Sequence, residues 1–216
     1  PLWEAYKRII KDNGAIVLTA SQPFTSMLVM SNLKMFKYEW IWEKPNQSNF
    51  LLAKIMPLKV HENILIFYLK QSTYNPILRK FSVDTINRNN RKNNGRHTTN
   101  SRNYGNLSGL NVYEYKGKTE GYPNTIIKYS GRRNNQYIKS EYIHPTQKPV
   151  ALFEYLIRTY TNEGDLVLDN CIGSGTTAIA ALKCNRNFIG IEKEPKYVEI
   201  ANKRIELFQN QYKLEI

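Results

Sequence analysis

Cysteine is scarce: Cys171 and Cys184 are the two in 216 residues. Their number and spacing suit neither a disulfide framework nor a zinc cluster, so redox chemistry and a bound metal are not expected. Nine prolines are spread along the chain with no two adjacent. Long apolar runs are missing as well. The longest, Ile64 to Leu69, is far below the roughly 18 residues of a membrane span, and no charged-then-apolar leader opens the chain. A cytoplasmic protein is the expectation. The last shortage is acid, with 18 Asp and Glu against 31 Lys and Arg for a formal net charge of +13.

What is present is a packed chain with a local charge. Apolar residues at 41% and aromatics at 12% are globular values and exclude a wholly disordered chain. Residues 1–71 carry 9 basic and 5 acidic side chains, residues 72–140 carry 13 and 3, and residues 141–216 carry 9 and 10. A charge needed for solubility alone would be spread over the surface. One concentrated between near-neutral flanks points to a polyanionic partner, nucleic acid first.

Three segments follow from the patterning. Residues 1–71 read as an α/β half, with helices over Leu2–Ile10 and Phe24–Leu33 and strands over Ala15–Leu18, Tyr38–Trp42 and Ile64–Leu69. In residues 72–140 the periodicity fades into Asn, Arg, Lys and Gly, with seven tyrosines among the cations. Aromatic rings beside cations supply base stacking and phosphate contacts together, so this stretch is the expected target-recognition insert, with a solvated loop as the competing reading for Asn87 to Ser101 taken alone. Residues 141–216 carry a helix over Val150–Tyr160, a strand over Leu166–Asp169, a glycine turn, a helix over Thr176–Cys184, a strand over Asn187–Glu192 and a final helix from Pro195. Strand, turn, helix and strand make a βαβ unit, whose ligands sit at the carboxyl ends of parallel strands.

Three cofactor classes use a glycine turn at that place. A Walker phosphate loop needs Lys then Ser or Thr after its last glycine, whereas Gly175 precedes Thr176-Thr177. Gly173-Ser174-Gly175-Thr176-Thr177-Ala178 does match Gly-x-Gly-x-x-Ala of dinucleotide sites. Asp169 argues against a dinucleotide, since its carboxylate would face an anionic pyrophosphate. S-adenosylmethionine suits the loop better: it lacks phosphate and carries a sulfonium and an amino group. Glu192 is the candidate acceptor for both ribose hydroxyls. The plainer readings are a capping carboxylate for Asp169 and a surface acid for Glu192.

His144-Pro145-Thr146-Gln147-Lys148-Pro149, then Asp169-Asn170-Cys171-Ile172-Gly173-Ser174-Gly175-Thr176-Thr177, then Asn187-Phe188-Ile189-Gly190-Ile191-Glu192 resemble the amino-methylating DNA methyltransferases of restriction–modification systems. Leu2-Trp3-Glu4, Lys11-Asp12-Asn13-Gly14, Trp42-Glu43-Lys44 and His61-Glu62 extend the resemblance over nearly the whole chain outside the insert. The order of the motifs resembles the permuted group, in which a catalytic region comes first and cofactor motifs last. The resemblance implies a doubly wound, Rossmann-like α/β fold and S-adenosylmethionine as cofactor. It places Asp169, Gly173, Ser174 and Gly175 at the methionine end, Glu192 on the ribose, and Thr146, Gln147 and Lys148 along the methionine side. Bottom-up, Lys148 lies in a stiff turn between Pro145 and Pro149 and has the reach to meet the cofactor carboxylate; an exposed cation is the alternative.

In that family a strand-end Asp-Pro-Pro-Tyr or Ser-Pro-Pro-Tyr/Trp makes the amino nitrogen nucleophilic. No Pro-Pro pair stands in this sequence, so the catalytic residues are expected upstream of Pro1, together with two strands whose loss would leave a gap in the sheet. The expected activity is methyl transfer to the exocyclic amino group of adenine in a specific duplex sequence. Rivals are a cytosine amino-methyltransferase, a non-catalytic or split remnant that binds DNA, and a nicotinamide-dependent oxidoreductase. Arg91, Lys92, Arg96, Arg132 and Arg133 are the candidate DNA contacts. Trp40, Phe67 and Tyr68 are candidates for the pocket of an extruded base, with core packing as the competing reading. Expected partners are double-stranded DNA, a second copy or complementing fragment, and a partnered restriction enzyme.

Overall fold

Ile64-Leu65-Ile66-Phe67 places four large apolar side chains in succession, which a strand buries only when both faces of its sheet are covered. The computed structural model, which describes residues 2–91, 100–101, 105–106, 117–129 and 147–214, builds that arrangement. In chain order the elements are α1 (Leu2–Ile9), β1 (Ile16–Ala20), α2 (Phe24–Ser31), β2 (Phe36–Ser48), a 3-10 turn (Phe50–Leu52), β3 (Lys59–Phe67), β4 (Arg79–Lys80), α3 (Val83–Arg91), β5 (Asn100–Ser101), β6 (Gly105–Asn106), β7 (Glu120–Gly121), β8 (Ile126–Lys128), α4 (Val150–Tyr160), β9 (Leu166–Asp169), α5 (Thr176–Lys183), β10 (Asn187–Gly190) and α6 (Pro195–Leu214). They fall into two compact units, Pro1–Asn75 with Asn124–Ile216, and Pro76–Pro123.

In the larger unit β3 is one of two inner strands of a four-stranded sheet ordered β1-β3-β2-β8. Both its neighbours run antiparallel, and β8 joins β2 in parallel. Alternation sends Ile64 and Ile66 to one face, where they meet Trp40, Trp42 and Ile127 with Leu152, Tyr155, Leu156 and Tyr160 of α4. Leu65 and Phe67 go to the other face and pack with Ile16, Leu28 and Met35, backed by Trp3 and Tyr6 of α1. All four β3 side chains are fully buried. At about 1.5–3 kcal/mol for each fully buried aliphatic or Phe side chain, this strand anchors the core.

β9 and β10 form a separate parallel pair, with Gly190 opposite Asp169. Val167 and Phe188 pack onto Ile157, Ile179, Ala180 and Phe208 of the surrounding helices. Leu166, Leu168, Ile189 and Ile191 are exposed on this pair. Among the described residues β1 pairs only with β3 and β9 only with β10, so the sheet stands in two pieces. Helix α1 spans them: Lys11 on its C-terminal side bonds Asp165 at 3.1 Å and Tyr6 donates to the Asn170 Oδ1 at 2.9 Å.

The smaller unit is built locally. Arg79 and Lys80 pair with Gly121 and Glu120, and the Arg79 guanidinium lies 5.0 Å from the Phe81 ring centre while its Nε donates to the Tyr122 carbonyl at 3.0 Å. Ser82 Oγ accepts the Thr85 N–H at 3.3 Å at the start of α3. Helix α3 and strand β8 lie in the stretch where the sequence shows little periodicity; Ile127 of β8 is buried against the main sheet.

Two of the three aromatic candidates take the other reading, core packing. Trp40 and Phe67 are core residues: Trp40 is 3% exposed and its Nε1 donates to Tyr160 Oη at 2.7 Å, and Phe67 stacks near Trp3 at 4.8 Å between ring centres. Tyr68 is partly buried, 5.2 Å from the Lys37 ammonium.

Candidate functional site

The site forms where β9 and β10 end side by side. Asp169, the last residue of β9, is fixed by two donors: the Cys171 N–H bonds Oδ1 at 2.9 Å and the Thr177 hydroxyl bonds Oδ2 at 2.5 Å. One carboxylate thereby ties the strand end to the first turn of α5. Gly173 and Gly175 adopt φ of 53° and 81°, the left-handed region that glycine enters without strain. Gly175 also has no room for a side chain, because a Cβ there would lie 3.0 Å from the Cβ of Ala201 on α6. The loop's backbone thus rests directly on that helix.

Glu192 lies two residues past β10, in the turn leading to α6, rather than at the strand's end. Its Oε2 accepts the Gly173 N–H at 2.9 Å, and Oε1 accepts the N–H groups of Lys193 and Glu194 at 2.9 and 3.1 Å. It pins the glycine loop from the β10 side as Asp169 does from the β9 side.

Gln147 reaches the site, since the Ser174 hydroxyl donates to its Oε1 at 3.3 Å. Lys148 is paired: its ammonium lies 3.2 Å from Glu62 Oε2, and Lys44 stands 3.7 Å from Glu62 Oε1, with all three side chains about one-fifth exposed. Thr146, Lys92, Arg96, Arg132 and Arg133 fall outside the described residues, as does the side chain of Arg91, whose backbone closes α3. Of the two cysteines, Cys171 is exposed in the loop and Cys184 is buried, both as free thiols.

Several site groups escape a reading of the sequence. Thr177 holds Asp169, and Thr176 Oγ1 is buried without a hydrogen-bond partner at the loop's end. Arg204 on α6 is 6% exposed and donates to the Ser174 carbonyl and, at 3.0 Å, to its hydroxyl. Burial lowers its pKa below the usual arginine value. Tyr6 closes the outer side through Asn170, and burial first, then the nearby Cys171 and Asp169, raise its phenol pKa. The residue types Thr-Thr after Gly175 signal the first of these contacts; nothing in the helical pattern around Arg204 signals the second.

Comparison with known proteins decides the family. A DNA methylase family model covering N6 and N4 methyltransferases matches residues 1–203. The chain belongs to the DNA methylase family. Among relatives, Type II methyltransferase M.BglI of Bacillus subtilis is 55% identical over 65 residues, 30% of this chain and 19% of that one. Type II methyltransferase M2.DpnII of Streptococcus pneumoniae is 52% identical over 63 residues, 29% of this chain and 24% of that one. The aligned stretches thus span about a fifth to a quarter of these methylases. The solved structure of the M1.HpyAVI–SAM complex superposes with a TM-score of 0.58 at 26% identity, covering 94% of this chain and 80% of that one. PvuII DNA methyltransferase, described as cytosine-N4-specific, shares the fold with a TM-score of 0.56 at 19% identity over 94% of this chain and 70% of its own. This member of the family has the Rossmann-like α/β fold expected from its sequence, with helices against a mixed sheet.

Proposed function

We propose that this chain binds S-adenosylmethionine and duplex DNA as part of a DNA amino-methyltransferase that acts on the exocyclic amino group of adenine within a specific sequence. One observation carries the cofactor: Asp169 and Glu192 stand on the two sides of the glycine loop, each bonded to its backbone or to its first helical turn. A pyrophosphate there would meet two carboxylates, whereas an amino group, a sulfonium and ribose hydroxyls would be attracted by them or bond to them. The residues fit the group. The buried Thr176 hydroxyl lacks a partner that a ligand would supply. The M1.HpyAVI–SAM complex, similar over most of its length, supports the same cofactor.

When bound, S-adenosylmethionine supplies an electrophilic methyl group. Asp169 and Glu192 hold the loop and accept the ligand's donors, while Gln147 and Ser174 line the methionine side. The choice of adenine over cytosine is supported by the likeness of the quoted motifs, and their order along the chain supports the permuted arrangement. Residues 72–140, with 13 cations and 3 acids, are the proposed target-recognition segment. Arg91, Lys92, Arg96, Arg132 and Arg133 are its proposed contacts to phosphates and base edges. A second copy of the chain and a restriction enzyme are further proposed partners.

Calorimetric titration with S-adenosylmethionine and with NAD tests the reading. S-adenosylmethionine is expected to bind and NAD not, with Asp169→Asn weakening the former at least tenfold; NAD binding alone would overturn it. A labelled-methyl assay on mixed-sequence duplexes, followed by nucleoside analysis, distinguishes N6-methyladenine from N4-methylcytosine. Because these 216 residues contain no Pro-Pro pair, a second reading is a component that binds both ligands without transferring methyl. Salt-sensitive DNA binding with no labelled product would favour it.

A further inference from the structure

The most deeply buried unpaired charge in the described residues stands behind the glycine loop. Arg204 is 6% exposed, and among the described residues no carboxylate lies within 4.0 Å of it; both its hydrogen bonds go to Ser174. The other buried arginine, Arg186, is 7% exposed and sits 3.9 Å from Glu163 while also donating to the Thr161 and Cys184 carbonyls. A buried charge is ordinarily paired because taking an ion out of water is costly. At Arg204 the counter-charge is missing, and the guanidinium faces Ser174, itself 3% exposed, between Gly173 and Gly175.

The surroundings make this contact a positioning device. Ala201, three residues before Arg204 on the same helix, touches the backbone at Gly175 so closely that a Cβ there would lie 3.0 Å away. Arg204 bonds Ser174, and Ser174 in turn donates to Gln147. Helix α6, the loop and the segment before α4 are thereby joined in one chain of contacts. Lys148, next to Gln147 in the chain, is paired with Glu62 at 3.2 Å.

We propose that Arg204 is the positioning residue of the site: it fixes Ser174 toward Gln147 and supplies, from behind the loop, the positive charge that attracts the carboxylate of the bound cofactor. The inference rests on the S-adenosylmethionine reading above. The cofactor carboxylate completes the electrostatic environment of a guanidinium that is otherwise buried alone, so the cost of burying that charge is offset when the site fills.

The test compares binding of S-adenosylmethionine and of decarboxylated S-adenosylmethionine, which lacks only the carboxylate, by calorimetry on the parent protein, Arg204→Gln and Arg204→Lys. Gln keeps neutral donors for Ser174 and removes the charge; Lys keeps the charge. The parent is expected to prefer the carboxylate-bearing ligand, Arg204→Gln to lose at least tenfold of that preference, and Arg204→Lys to retain it within about threefold. The thermal midpoint of ligand-free Arg204→Gln should be no lower than the parent's, because a buried unpaired charge is gone. Equal weakening of both ligands in Arg204→Gln, or an undiminished preference, would overturn the proposal and leave Arg204 a packing residue. If the parent binds neither ligand, the cofactor reading fails first.

Discussion

β3 and β9 each carry a short apolar run, yet the two do opposite work. Ile64 to Phe67 of β3 are sealed on both faces and bear no group of the candidate site. β9 buries only one face: Val167 packs inward while Leu166 and Leu168 are 53% and 39% exposed, and its last residue is Asp169. Stability is thus concentrated in one sheet and chemistry at the end of another. Precision at the site comes less from strand burial than from the carboxylate ties of Asp169 and Glu192 and the backing of the loop by α6.

The largest effect expected from this contrast is in β3. Ile66→Ala removes a wholly buried side chain from the contact of the sheet with α4 and should cost about 2–5 kcal/mol of unfolding free energy, read from urea denaturation. A loss under about 1 kcal/mol would mean that β3 is not the anchor. The next largest is at the loop. Gly175→Ala forces a side chain into φ of 81° and against Ala201, at about 1–3 kcal/mol. Here the ligand should feel more than the fold: S-adenosylmethionine affinity is expected to drop at least tenfold while the urea midpoint shifts less than in Ile66→Ala. A variant that binds normally would show that the close packing of loop on helix does not shape the site.

Much of this architecture was legible because its signals are local. Val150–Tyr160 and Leu166–Asp169 have the same limits in sequence and structure, since a 3.6-residue stripe and a short apolar run bounded by Gly164 and Gly173 are written in neighbouring residues. The glycine loop and Asp169 were legible for the same reason. What escaped depends on distance along the chain. Lys148 looks like a free cation until β3 brings Glu62 beside it. Arg204 is one more basic residue on an amphipathic helix, and only the packing of Ala201 on Gly175 turns it inward. Trp40 and Phe67 sit near strand ends in sequence, but coverage of both sheet faces makes them core. The three-residue β8 is too short to announce itself and is defined by its partner, with Ile127 opposite Trp42.

The smallest expected effect probes the open face of β9 directly. Leu168→Thr keeps a β-favouring residue while removing apolar surface from a position 39% exposed in this chain. The change in unfolding free energy should stay within about 0.5 kcal/mol, and S-adenosylmethionine affinity should be unaltered because Asp169, on the opposite face of the strand, keeps both its donors. The same substitution is a sensitive report on whether that face is open in solution. If Leu168→Thr costs as much as Ile66→Ala, Leu166, Leu168, Ile189 and Ile191 are covered by another segment or another molecule, and β9 is a buried strand like β3. Dilution of the protein then separates the two cases, because a cover supplied by a second molecule makes the loss concentration-dependent, whereas one supplied by the same chain does not.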